Sequence, residues 1–250
     1  MKFIFLSMFF LSILYADTTK VCFYTIENNI EDFKSFKKNF DKYLEDFGDY
    51  EFQAFSDKES FDNYINNNDA IFILSSRHYK NLSKTKKIKA NLIAKKNNKI
   101  KDLKVLIGKR DKNIKGVVTS AYTKKYTEKL LGMVKIKSAL SVLVVPKEID
   151  ALMSVGFGMS DFAIVSKDSF THLQDINGFL TRDLITYKEL HSSYRMVVAS
   201  KIKNTKNKDI DDIFKNMDKN IHGKLVLNAL AIDKFIVLDS KDLSNLRGIE

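Results

Sequence analysis

Cysteine, proline and arginine are all scarce in this chain, and each scarcity closes a possibility. The single Cys22 has no partner for an internal disulfide, so the fold must stand on its hydrophobic core. The residues before it, Thr19-Lys20-Val21, lack the small residue expected directly ahead of a lipidated cysteine, and core packing is its expected role. Arginine occurs only at positions 77, 110, 182, 195 and 247, although lysine and arginine together number 42. The formal charge of +11 is therefore mostly lysine scattered along the chain, not the clustered arginine forks of a nucleic-acid binder, and no nucleic-acid partner is expected.

Catalytic signatures are missing too. The histidines at 78, 172, 191 and 222 have no metal-ligand spacing. There is no Cys-x-x-Cys pair, no Gly-x-Ser-x-Gly elbow and no phosphate-cradling P-loop. Neither a metal nor a cofactor is expected, and the chain is expected not to be an enzyme. Catalysis would need a hidden pairing such as Cys22 or His78 with Asp161.

What is present begins with Lys2, the apolar run Phe3 to Tyr15, small Ala16 and polar Asp17-Thr18-Thr19. A positive start, an apolar run shorter than the ~20 residues that cross a bilayer, and a small residue make the layout of a signal peptide. Cleavage after Ala16 and a periplasmic location are expected. Leu14 stands where the cleavage motif prefers a small residue, which keeps an uncleaved anchor as the alternative. Removing residues 1–16 from the 250 leaves 234, enough for one large domain or two lobes of ~100 residues each.

The pattern that follows is strand, helix, strand, helix, strand. Lys20 to Thr25 reads as a buried strand, and Phe33, Phe36, Phe40, Tyr43, Leu44 and Phe47 form one apolar stripe of a helix over 32–47 that Gly48 stops. Strands are expected at 50–55 and 70–74, with a helix at 58–66 opened by Asp57. Such alternation makes parallel strands, whose carboxyl ends gather ligands, and Ser75-Ser76-Arg77-His78-Tyr79 reads as a loop at one of them. Strands at 89–94 and 103–108 read as a hairpin or as a passage between lobes.

The pattern then restarts: strand 115–119, helix 122–131, strand 139–145, a helix at 147–155 behind the lone Pro146, strand 161–165 and a helix at 168–173. Strand-like runs at 178–187 and 194–200 provide a return, and the tail carries helices at 209–217 and 224–231, a strand at 235–238 and a helical turn at 241–246. The expected organisation is a first lobe of residues 17–100 plus 191–250 and a second lobe of residues 101–190.

This order of segments resembles the phosphate/phosphite/phosphonate-type substrate-binding proteins of bacterial ABC importers. The likeness is carried by Asn68-Asp69-Ala70-Ile71-Phe72 with the serine-rich stretch and Tyr79 after it, by GVVTSAYTKKYTEKLL from Gly116, by VPKEIDALMSVGFGMSDFAIVSKDSFTHL from Val145, and by the tail HGKLVLNALAIDKFIVLDSKDLSNL. The resemblance implies a two-lobed α/β type 2 periplasmic-binding fold with a mainly parallel sheet in each lobe. It also implies a small anionic, phosphonate-like ligand, an inner-membrane ABC permease as partner, and a monomer. A sensor kinase or chemoreceptor is the alternative partner. The family's Ser-Thr-Ser-Gly anion loop is represented here by Thr119-Ser120-Ala121-Tyr122, without the glycine, which puts phosphonate itself in question.

Expected ligand contacts are Ser120, Tyr122 and Thr123 at a helix start, where free N–H groups favour an anion, facing Ser75, Ser76, His78 and Tyr79, with Tyr24 as a stacking lid. Asp161, an acid opening an apolar strand, is expected to face the cleft and accept from a ligand amine or hydroxyl. The bland alternatives stay open: Ser120 as a helix cap, His78 as a hydrogen-bonded structural residue, Arg77 as a solvated cation, and Asp161 as a turn cap.

Overall fold

The computed structural model describes residues 18–25, 30, 32–85, 88–136, 139–201 and 207–248. The expected signal segment, 1–16, lies outside them. The chain opens with β1 (Thr19–Tyr24), α1 (Phe33–Leu44), β2 (Tyr50–Ala54), α2 (Lys58–Asn67), β3 (Ile71–Leu74), α3 (Ser76–Ser83) and β4 (Ile88–Lys95). It continues through β5 (Lys101–Lys109), β6 (Gly116–Ser120), α4 (Lys124–Met133), β7 (Leu140–Val144), α5 (Glu148–Gly156), β8 (Phe162–Ser166), α6 (Lys167–Ile176), α7 (Gly178–Thr181) and β9 (Leu184–Tyr194). It closes with β10 (Val197–Lys201), α8 (Asn207–Lys215), α9 (Ile221–Ala229), β11 (Lys234–Val237) and α10 (Ser240–Gly248).

Two sheets result. The first has the order β11-β4-β10-β3-β1-β2 and the second β7-β6-β8-β5-β9. In each, three parallel strands (β2-β1-β3 and β7-β6-β8) meet an antiparallel strand that has just arrived from the other lobe, β10 in the first and β5 in the second. Both sheets are therefore mixed, parallel only among those three strands. The stretch 95–101 is a passage between lobes and not a hairpin, because β4 and β5 pair in different sheets. The return crossing at Arg195 runs beside it, with the Arg195 N–H donating to the Ile100 carbonyl at 3.0 Å.

Local chemistry sets the boundaries. Asp32 and Asp57 cap α1 and α2 by accepting from Ser35 and Ser60 N–H groups at 2.9 and 2.8 Å. Gly48 ends the first helical segment with φ at +103°, a conformation that costs glycine nothing. The apolar stripe of α1 packs Phe36, Phe40, Tyr43 and Leu44 on one face of the first sheet together with α8 and α9, and Phe40 stacks on Phe52 at 4.5 Å between centroids. The other face, with Cys22, Phe72 and Leu74, is covered by α2, α3 and α10. In the second lobe α5 and α6 cover one face and α4 the other.

Two expectations fail locally. The Ser75-to-Tyr79 stretch is not a loop: Ser75 accepts from the His78 N–H at 3.2 Å and starts α3. The start of the expected strand at 178–187 is the helical turn α7, which Asn177 caps by accepting from Leu180 N–H. Among the described residues no helix is long and apolar enough to cross a membrane.

Candidate functional site

In sheets of this kind ligands gather at the carboxyl ends of the parallel strands. Those ends carry the starts of α1 and α3 in the first lobe and of α4, α5 and α6 in the second, and the two groups face one another across a cleft. The cleft has two recesses. One, of about 40 Å³, is lined by Ser76, Arg77, Lys80, Lys104, Tyr122, Tyr126 and Tyr194 among others. The other, of about 420 Å³, lies between the starts of α1, α5 and α6 and the Arg195 crossing, with Asp32, Asp102, Glu148, Asp168 and Arg195 in its wall.

Arg77 spans the gap. Its guanidinium donates to the Thr123 hydroxyl at 2.9 Å and lies 3.7 Å from the Tyr126 ring centroid, a cation–π contact between lobes. Thr123 accordingly makes no side-chain cap for α4. Ser76, beside Arg77, donates to the Tyr194 carbonyl in the hinge at 2.6 Å.

Between the recesses stands a buried pair, Glu148 at 1 % exposure and Lys104 at 2 %, 3.9 Å apart. The Glu148 carboxylate accepts from the Ser166 N–H at 2.8 Å, from the Ser169 hydroxyl at 2.5 Å and from the Tyr122 hydroxyl. Ser166 is also the cap of α6, so this carboxylate sits at a helix start, where the dipole favours negative charge. Beside it, burial holds the carboxyl of Asp102 above its ordinary value, against the pull of Lys104. Asp168, in the first turn of α6, is held by two hinge cations, Arg195 at 2.6 Å and Lys96 at 3.3 Å.

Of the residues expected from sequence, Ser76, Tyr122 and Thr123 meet at the smaller recess. Ser75 lies just behind them as a cap. Tyr79 is fully buried, with its hydroxyl accepting from the Ala90 N–H at 3.1 Å, so it belongs to the core. His78 is buried against Asp62 at 2.6 Å, and Tyr24 packs edge-on to it at 5.9 Å. Ser120 has no exposure and accepts from the Tyr122 N–H at 3.2 Å, shaping the turn before α4. Asp161 stands at the far end of the second lobe, where its carboxylate accepts from Lys112 at 2.8 Å and Val117 N–H at 3.0 Å; the expected cleft-facing position is wrong because β8 enters, and does not leave, its sheet there. Cys22 is buried in β1 of the first sheet, its thiol pushed up to about 12 by burial, and Asp161 precedes β8 of the second sheet beside Lys112 and Val117, so neither Cys22 nor His78 meets Asp161.

Sequence reasoning missed Lys104, Glu148, Asp102, Asp168 and Arg195, and read Arg77 as solvated. One signal was available. A lysine inside the apolar run Leu103-Lys104-Val105-Leu106-Ile107 is buried unless the strand is an edge, and β5 lies between β8 and β9.

No protein-family model matches the sequence, and no curated protein matches it. Solved structures do. The binding component of an ABC phosphonate transporter from Pseudomonas aeruginosa superposes with a TM-score of 0.72 at 14 % identity, over 92 % of this chain and 85 % of that one. PhnD1 from Prochlorococcus marinus, in complex with methylphosphonate, gives 0.72 at 13 % identity, over 91 % and 95 %. The chain has the fold of the phosphonate-type periplasmic binding proteins. A histidine kinase sensor domain with similarity to periplasmic binding proteins gives 0.57 at 15 % identity, over 87 % and 97 %, so the likeness in fold reaches a sensor domain as well.

Proposed function

We propose that this chain is an exported solute-binding protein that captures a small anion between its lobes in the periplasm and presents it to an inner-membrane ABC permease. It acts by closure and without turnover, as a monomer. The bodies that close are the two lobes expected from the sequence, residues 17–100 with 191–250 and residues 101–190, except that β9 runs to Tyr194 and keeps 191–194 with the second.

The observation that carries the reading is the Arg77 bridge. A cation from the first lobe reaches the start of α4 in the second, in a recess also lined by Lys80 and Lys104, with no carboxylate among its lining residues. A recess of about 40 Å³ admits little beyond water, so a solute needs this bridge to part before it enters and gains the same cations when the lobes close again. A thermal-shift panel of phosphate, methylphosphonate, sulfate, carboxylates and amines tests the capture. A ligand at ~100 times its dissociation constant adds ~2.7 kcal/mol, and a rise of the melting midpoint with any anion is expected. A panel in which only cations raise it overturns the anion reading.

A second partner is favoured by the likeness to the sensor domain: the closed form is read by a kinase or chemoreceptor instead of a permease. Pull-down of the closed form against the neighbouring gene products separates the two.

A further inference from the structure

We infer that Glu148 is a built-in occupant of the second lobe's anion cradle, and that an incoming anion must compete with it for Tyr122, Ser166, Ser169 and Lys104. The inference rests on the capture reading and names the residue that sets its affinity.

Four groups that suit an anionic ligand converge at one point: a backbone N–H at the start of α6, two hydroxyls and an ammonium. All of them already address one carboxylate, which belongs to the chain. Glu148 heads α5, whose own start is secured separately by Asp150 accepting from the Lys147 N–H at 3.0 Å, so the Glu148 side chain is not needed to cap its helix. It also lines the 420 Å³ cavity. The carboxylate therefore has a place to swing, away from the four groups, without α5 unwinding.

An internal competitor acts at a high effective concentration, millimolar or above even for loosely tethered groups. It weakens every anion by the same factor. A monoanion that takes the cradle merely replaces one carboxylate by another, whereas a dianion brings a second charge to Lys104 and Arg77. Any preference for a dianion therefore comes from Lys104 and Arg77, and the competition sets the affinity alone.

The test is calorimetric titration of the full-length mature chain and of Glu148→Gln with methylphosphonate, and with its monomethyl ester as a monoanion of nearly the same shape. The amide keeps the size of the side chain but gives up the charge. The expected result is at least about tenfold tighter methylphosphonate binding by Glu148→Gln, with the ester gaining by the same factor. Damage to a merely structural residue would weaken binding, not strengthen it. Should Glu148→Gln fold poorly, Glu148→Asp, which retracts the carboxylate by one methylene, is expected to gain affinity in the same direction. Equal or weaker binding by the folded variants overturns the inference. Closure of the wild-type lobes by any solute, read by small-angle scattering in the same preparation, keeps the capture reading standing if that happens. Absence of closure with every solute and absence of anion binding by both proteins removes the two together.

Discussion

Arg77 of the first lobe and Thr123 of the second are joined by a 2.9 Å hydrogen bond, with the guanidinium lying over Tyr126. The contact is a direct tie between the two lobes. Arg77→Ala should shift the ligand-free chain toward an open form, visible as a larger radius of gyration. Its melting midpoint should change little, since a half-exposed cation–π contact contributes ~0.5–1 kcal/mol. Arg77→Lys should resemble the alanine variant more than the wild type, because the planar fork that spans Thr123 and Tyr126 is lost. An unchanged scattering profile for Arg77→Ala would remove the tie.

The buried pair behind it is predicted to be costly to break and cheap to replace. Lys104→Met strands a carboxylate at 1 % exposure and should cost ~3–5 kcal/mol in urea denaturation. Adding Glu148→Leu should recover most of that loss. If the double variant is as unstable as the single one, packing and not charge holds this centre.

His78 carries a pH signature. Burial holds its imidazole below the ordinary histidine value, although Asp62 at 2.6 Å pulls the other way and Lys58 adds to the lowering. The unfolded chain then binds the proton more readily than the native one. Stability is fully present above the unfolded value of ~6.5 and falls as pH drops from there toward the folded value. Melting midpoints from pH 7.5 to 5 should decline more steeply for the wild type than for His78→Asn; parallel curves would contradict it.

Ser120→Ala and Asp161→Asn separate turn-making from binding. Ser120 loses its bond to the Tyr122 N–H, and about 1 kcal/mol of stability should go with it. Asp161 lies at the far pole of its lobe. Anion affinity should move less than about threefold in either variant, since neither side chain lines the cleft. A tenfold loss in either would return that residue to the site.

Much of the fold was legible because its signals are local. The phenylalanine stripe of α1, the Asp57 cap, the Gly48 stop and the restart of the strand-helix pattern after Leu103 all lie within a few residues of what they specify. Ser75 was misread because a serine beside a serine suits a loop and a cap equally, and only the bond to the His78 N–H decides. The centre of the cleft was illegible for a different reason. Lys104 and Glu148 are far apart in the chain and meet only because β5 pairs with β8, bringing Lys104 opposite Ser166. Their charges read singly as a stray lysine and a helix-dipole acid.

The insertion of β10 between β3 and β4 has a temporal meaning as well. The second sheet is made entirely from residues 101 to 194 and can assemble as soon as that stretch emerges. The first sheet has β1 to β4 in hand early yet stays split, with β3 and β4 unable to touch, until residue 201 is delivered. As the chain emerges during synthesis, the amino-terminal lobe is thus the last to become solid, and its exposed strand edges wait for β10 at Val197–Lys201.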